Sequence, residues 1–316
     1  MPDKCDMRWF KQTFHDKIEP AIQGTPFTLD FMTALACQET GEVWPILRKK
    51  GLSLDRILQL CVGDTLDAPD RDAFPHKKAD LISVTNGQAM FDIARKALMD
   101  MSEFVLSYRH VALTHPDKFC HGYGIFQYDL QFFVGDEADP DYFLQKRYEK
   151  FDNSLGKALG ELHAARKQLG LQNKPTLTDL ELCHVAICYN TGDFIASHGL
   201  KQGHQSDDGK FYGEEIFSFL QKAHTVPLND PVTTLPFAVD ANGPRFKVKS
   251  TKLNLRGEPC VDSGPASNVK AELHNGQEVR ALTNQGIGPN QFLEVETTVG
   301  GQQLRGFASF QLLTPA

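Results

Sequence analysis

Three short stretches, far apart in the chain, carry residue types that could act together on one bond. "ALACQETG" sets Glu39 at the end of an apolar run, between Ala36-Cys37 and Trp44. A carboxyl in an apolar wall resists ionising, so its pKa rises and it can give up a proton near neutral pH. "HGYGIFQYDLQFF", His121 to Phe133, interleaves Gln127 and Asp129 with Tyr123, Ile125, Phe126, Tyr128, Phe132 and Phe133. Its alternation predicts a strand with Gln127 and Asp129 on one side. "AICYNTGDF" places Tyr189 and Asn190 just before Gly192. Gln127 and Asn190 can each donate and accept, which suits acetamido and hydroxyl groups. Tyr123 and Tyr189 offer flat faces and hydroxyls to a sugar ring. An acid that protonates a leaving oxygen is what glycosidic cleavage requires.

Plainer readings stand beside each of these. Glu39 could cap or ion-pair a helix end, with Glu42 as a fallback acid. Gln127 and Asp129 could be the wet face of an edge strand. Tyr189-Asn190 could be an ordinary helix terminus with Gly192 at C′. The groups Cys183, His184, Cys188 and His110, His115, Cys120, His121 fit no standard zinc spacing, so no metal is assigned, and no cofactor is called for. A Cys–His nucleophile using Cys37 or Cys120 is weaker, because Cys37 lies inside a helix, away from the N-terminus that would favour a thiolate.

The elements that must position these groups are mainly helical up to about residue 225. Thr28 caps "TPFTLDFMTALACQETG", which stops at Gly41. Met90, Phe91, Ala94, Leu98 and Met101 form one face of a helix. A long helical stretch runs from Asp139-Pro140 to Gly170, with Phe151, Leu155, Ala158, Leu159 and Leu162 as its stripe. Thr178 and Glu181 form a capping box ahead of Tyr189, and "GEEIFSFLQKAH" is a last short helix. Residues 49–80 match no pattern. The proline-rich stretch 226–244 reads as an extended linker. From residue 245 onward, short alternating segments separated by "HNG", "GIGPN" and "VGG" predict a small β-barrel.

At 316 residues the chain is long enough for two domains. The net charge of -7 argues against a general nucleic-acid binder. The C-terminal stretch from Arg245 has eight Lys/Arg against six Asp/Glu, so the acidity resides in the front part. No run approaches the ~20 apolar residues of a membrane span, and "MPDKCDMRWF" lacks the apolar core of a secretion signal.

Taken together, the motif order resembles the lysozyme-like superfamily, nearest its goose-type lysozyme and soluble lytic transglycosylase branches. "QETG" is similar to their catalytic-glutamate segment, "YGIFQYD" to their GLMQ segment, and "ICYNTG" to their AYNAG segment. "FYGEEIFSFL" resembles the Tyr-containing helix that often follows. "KLNLRGEPC" and the segments after it resemble a bacterial SH3 domain. The family's Met becomes Phe126, its Ala before Tyr-Asn becomes Cys188, and the usual SH3 tryptophan is missing.

The resemblance implies an α+β, mainly α protein. A lysozyme-like helical domain with a small β element (1–225) would be followed by a linker (226–244) and an SH3-like wall-binding β-barrel (245–316). It implies a muramidase that cleaves the β-1,4 bond between N-acetylmuramic acid and N-acetylglucosamine in peptidoglycan. Glu39 would be the general acid and Asp129 the water-positioning aspartate, with Gln127, Tyr123, Tyr189 and Asn190 binding substrate. The expected partners are peptidoglycan glycan strands, with an immunity or inhibitor protein admitted as a second partner. The expected route is synthesis in the cytoplasm, then dedicated export or lysis to reach the wall. Three alternatives stay open: a lytic transglycosylase giving 1,6-anhydro products, a non-catalytic wall-binding protein, and a relative acting on chitin or chitosan.

Overall fold

In a computed structural model, which describes residues 1–206, 208–239, 242–261 and 268–316, the chain divides into two units, Met1–Val226 and Pro227–Ala316. The first begins with α1 (Lys4–Ile22), a helix the sequence reading missed. Its start is fixed by a reciprocal cap, in which the Asp3 side chain accepts from Cys5 N and Asp6 N while Asp6 reaches back to Asp3 N. Met7, Phe10, Phe14 and Ile18 then recur at helical spacing and are buried, with Phe14 stacked on Phe151 at 3.9 Å.

The remaining elements of this unit are α2 (Leu29–Thr40), α3 (Trp44–Lys49), α4 (Leu54–Leu60), β1 (Val62–Gly63), α5 (Lys78–Ile82), α6 (Gly87–Ser102), α7 (Arg109–Thr114), β2 (Gly122–Tyr123), β3 (Tyr128–Asp129), α8 (Pro140–Leu144), α9 (Phe151–Gln168), α10 (Asp179–Thr191) and α11 (Tyr212–His224). α6 buries the five residues expected, Met90, Phe91, Ala94, Leu98 and Met101. The long helix expected from Asp139 is broken. Asp139 caps α8, Lys146 takes a positive φ of 52°, and the chain restarts as α9 with Leu159 only partly buried. The single strand expected over His121–Phe133 is instead a tight hairpin. β2 and β3 pair as Gly122↔Asp129 and Tyr123↔Tyr128, and a 3₁₀ turn follows over Leu130–Phe133. β1, from the segment left unassigned, completes a three-stranded sheet in the order β1-β2-β3.

The second unit overturns the expected fold class. Its strands are β4 (Val232–Thr234), β5 (Arg245–Val248), β6 (Lys252–Arg256), β7 (Val269–His274), β8 (Glu278–Ala281), β9 (Gln285–Ile287), β10 (Phe292–Val299), β11 (Gln302–Ser309) and β12 (Leu313–Pro315). Among the described residues they form one nine-stranded antiparallel sheet in the order β12-β5-β8-β10-β11-β6-β7, with β9 on β10 and β4 on β9. β12 and β7 remain its two ends, so the sheet does not close into an SH3-like barrel. With 44% helix and 17% strand, the chain is mixed α+β and not a mainly helical protein with a small barrel appended. The physical reason is that alternation and glycine turns specify strands, whereas closure depends on strand tilt and stagger, which alternation does not encode.

The longest pairing, β10 with β11, runs from Phe292↔Ser309 to Val299↔Gln302 around Gly300-Gly301, both at positive φ as a two-residue hairpin needs. Leu293, Val295 and Thr297 face the core, which also takes Phe246, Leu255, Leu273 and Val279. The stretch read as a linker supplies β4 and the buried Leu235 to this sheet and core. Its Asp240 and Ala241 lie outside the described residues.

Candidate functional site

Glu39 owes its position to the way α2 ends. Thr28 caps the helix by accepting from Phe31 N, and the body is apolar on all sides, as a helix buried in the unit must be. At the C-terminal end, Thr40 Oγ1 donates to Ile125 O at 2.6 Å, and Trp44 Nε1 donates to Ala36 O at 3.1 Å. A Cβ on Gly41 would lie 2.0 Å from Cys37 O, so only glycine lets the chain turn so tightly there. Glu39 therefore sits in a pinned final turn, facing the first turn of α11. Tyr212 Oη donates to Glu39 Oε1 at 2.6 Å. Burial raises the Glu39 pKa and the tyrosine bond opposes it, leaving the carboxyl at about 7. Glu42, by contrast, is exposed.

The hairpin forms the next wall. Gly124 (φ +80°) and Gln127 (φ +53°) bound its turn, and Gln127 Nε2 donates back to Gly124 O at 2.8 Å. Gln127 is therefore a turn residue, not a strand residue, and the expectation that it shares a strand face with Asp129 fails. A Cβ on Gly122 or Gly63 would lie 2.3 or 2.8 Å from Gln127 Oε1, so the amide lies directly over the glycines of β2 and β1. Tyr189, near the end of α10, donates its hydroxyl to Phe126 O in the same turn. Burial first, then the nearby Glu39, push its pKa well above the ordinary tyrosine value, and Asp129 adds to this, so Tyr189 lies in the field of both carboxylates. Asn190 is exposed beyond it. A Cβ on Gly203 would lie 3.0 Å from Asn190 Oδ1 and 2.6 Å from Tyr212 Cβ, so this loop glycine joins Asn190 to Tyr212.

Tyr123 is corrected. It is fully buried against Phe143 and Tyr148, and its hydroxyl donates to Cys120 O at 2.8 Å, so it has no face to offer a ligand. Asp129, on β3, is tied to Arg71. Its Oδ1 accepts from Arg71 Nη2 and from Gln131 N, both at 2.7 Å, and no described group engages Oδ2. Arg71 also donates to Asp64 Oδ2 at 3.0 Å and to the carbonyls of Phe74 and Pro75. Burial raises the Asp64 pKa against the pull of Leu66 N and Arg71.

The structure thus brings Glu39, Gln127 and Tyr189 together at one hairpin turn, with Asn190 beside Tyr212 across Gly203 and Asp129 on β3 of the same hairpin. Sequence reasoning did not assign Tyr212, Asp64 or Arg71. Tyr212 was in view in "FYGEE". The signal for Arg71 was a lone arginine among acids in "LDAPDRDAFP".

Burial raises the thiol pKa of Cys37 and of Cys120, which disfavours a thiolate nucleophile. His184 stacks on Phe194 at 4.1 Å, and no three His, Cys, Asp or Glu side chains converge as metal ligands among the described residues. A separate depression among Arg56, Lys96, Asp100, Tyr148 and Glu149 contains none of the site groups, and its Lys96 and Asp100 pair with each other. Among the described residues no helix is long and apolar enough to cross a membrane. Comparisons with protein-family models, curated proteins and solved structures find no match to this chain.

Proposed function

We propose that the Met1–Val226 unit cleaves a glycosidic bond, with Glu39 as the general acid. The observation that carries this reading is a carboxyl at about 7, placed by a pinned helix end and bonded through one oxygen to a buried tyrosine hydroxyl. Because Oε1 accepts from Tyr212, the acidic proton belongs on Oε2, which is free to protonate a leaving oxygen. A general acid works best with a pKa near the operating pH. The exposed Asn190 and the partly exposed Tyr189 supply polar contacts at the rim.

The resemblance of "QETG", "YGIFQYD" and "ICYNTG" to peptidoglycan-cleaving enzymes points to the β-1,4 bond between N-acetylmuramic acid and N-acetylglucosamine as the substrate. In a hydrolytic route Asp129, through its open Oδ2, orients the attacking water. An inverting route needs carboxyls roughly 6.5–9.5 Å apart to leave room for that water.

One observation favours a second reading. Asp129 Oδ1 is committed to Arg71 and Gln131 N, as a purely structural carboxylate would be. If Asp129 only anchors the hairpin, the sugar's own hydroxyl closes on the anomeric carbon and Glu39 serves as both acid and base. Mass spectrometry of products from purified peptidoglycan separates the two routes. Free reducing muramic acid marks hydrolysis, and a 1,6-anhydro end lighter by one water marks transglycosylation. Intact glycan would leave only a binding protein.

A further inference from the structure

One end of the site-bearing helices is tied into a charged node. His224 closes α11, and its ring lies between two carboxylates. Nδ1 is 2.7 Å from Asp30 Oδ2, and Nε2 is 3.2 Å from Asp179 Oδ2. Asp30 belongs to the first turn of α2 and Asp179 to that of α10. The other oxygen of Asp30 meets Lys11 Nζ of α1 at 2.6 Å, and Lys11 also donates to Ala223 O at 2.8 Å and Val226 O at 2.6 Å. Gln221 Nε2, one turn before His224, donates to Asp179 Oδ2 at 2.6 Å. Four helices meet here. The site residues lie at the opposite ends of three of them: Glu39 in the last turn of α2, Tyr189 and Asn190 in the last turn of α10, and Tyr212 at the start of α11. Rods of this length span roughly 18–20 Å, so a small rotation at the node displaces the far ends.

We propose that His224 is a positioning residue for the Glu39–Tyr212 pair, a proton-dependent latch across α2, α10 and α11. The proposal rests on the reading of Glu39 as the general acid. A doubly protonated imidazole donates from both nitrogens and holds both acids. A neutral ring donates from one and turns a lone pair toward the other. The groups facing it are Asp30 from α2, Asp179 from α10, Lys11 from α1 and Gln221 from its own helix, and Lys11 is already committed to Asp30 and two carbonyls. Each charge also suits its helix end, with acids at the N-termini of α2 and α10 and a cation at the C-terminus of α11.

Burial pulls the imidazole pKa down, the hydrogen bonds to Asp30 and Asp179 pull it up, and the net shift is upward from 6.5. The latch is therefore fully closed below about 6.5 and is lost as pH rises through the raised value. At 39% side-chain exposure the ring exchanges protons directly with solvent.

The test uses the full chain. Melting temperature is followed from pH 5.5 to 8.5 in a Glu39→Gln background, which removes the titration of Glu39 from the same window. With His224 intact, Tm falls as pH rises past 6.5. Adding His224→Gln should lower Tm at pH 5.5 by about 2–4 °C and abolish that fall. His224→Lys, charged throughout, should hold the higher Tm to pH 8.5. An unchanged slope in His224→Gln overturns the latch. Positioning is read separately by ¹³C-carboxyl titration of Glu39 in chains that keep it. His224→Gln should move its midpoint upward as Tyr212 loses its hold. An unchanged midpoint overturns the positioning role. Neither readout uses a glycan, so failure to cleave one would count against the proposed function alone.

Discussion

The two units put their polar groups to opposite uses. In Met1–Val226 several titratable side chains are held against their charged forms by burial. Glu39 is raised to about 7, Asp64 is raised, and His121 is lowered to about 4. In Pro227–Ala316 the charges lie on the faces of the sheet as cross-strand pairs, such as Arg280 with Glu296 at 2.6 Å and Arg305 with Glu294 at 2.7 Å. There the shifts run the other way, with Glu296 lowered by the bond from Arg280 and Arg305 raised by Glu294. A sheet that shares charge across its surface gives up nothing to keep it. A helical unit that buries an acid without a cation loses stability at that point, a cost that the proposed role of Glu39 would account for.

The sharpest way to break this contrast is through Arg71, the buried cation between Asp64 and Asp129. Arg71→Met should destabilise the helical unit by about 3 kcal/mol, because two part-buried carboxylates lose their shared partner. Chemical denaturation of the full chain measures it. A loss too small to resolve would mean that the hairpin does not depend on this pairing.

Glu39→Gln should act in the opposite direction. Unfolded, the acid titrates near 4.5, and folded, near 7. Its ionisation therefore costs stability that grows as pH rises from 4.5 to 7 and is complete above 7. At ~1.36 kcal/mol per unit the full cost is about 3 kcal/mol, and partial exposure reduces it to about 2. The variant should be more stable than the parent at pH 8, with the gap closing toward pH 4.5. Equal stability at both pH values would show that Glu39 titrates normally.

Tyr212→Phe removes the one hydrogen bond that lowers the Glu39 pKa. The high-pH limb of glycan cleavage should move upward by about one unit, since a bond to a charged acceptor is worth about 1.5 kcal/mol. A pH–rate profile with its limb unmoved would detach Tyr212 from the acid. The smallest effect belongs to the sheet, where Arg305→Ala should leave Tm unchanged within error, its pair with Glu294 being exposed. A clear drop in Tm would end the contrast between the units.

How much of this was legible in the sequence differs element by element. The cap at Thr28, the apolar face of α6 and the Thr178/Glu181 box are local signals, and local physics decided them. The raised pKa of Glu39 was legible because an acid in an apolar helix end is a local anomaly. The hairpin was not, because Gly124 and Gln127 reverse the chain inside an alternating run and only backbone dihedrals reveal it. Tyr123 misled because a core tyrosine and a sugar-facing tyrosine read alike until burial is known. α1 was legible in principle, since Asp3 and Asp6 cap a run with Met7, Phe10, Phe14 and Ile18 at helical spacing. Asp64 and Arg71 lie 65 and 58 positions from Asp129, a long-range pairing that no local pattern encodes. The barrel expectation failed for the same reason, because closure is a property of the whole sheet.

The most direct measurement of the central claim digests purified peptidoglycan with the native chain and with Glu39→Gln, and weighs the products. The native chain should release muropeptides ending in free reducing muramic acid. The variant should release them at least about 10²-fold more slowly, with its circular dichroism unchanged. Near-native release by Glu39→Gln, or no glycan cleavage by the native chain, would contradict it.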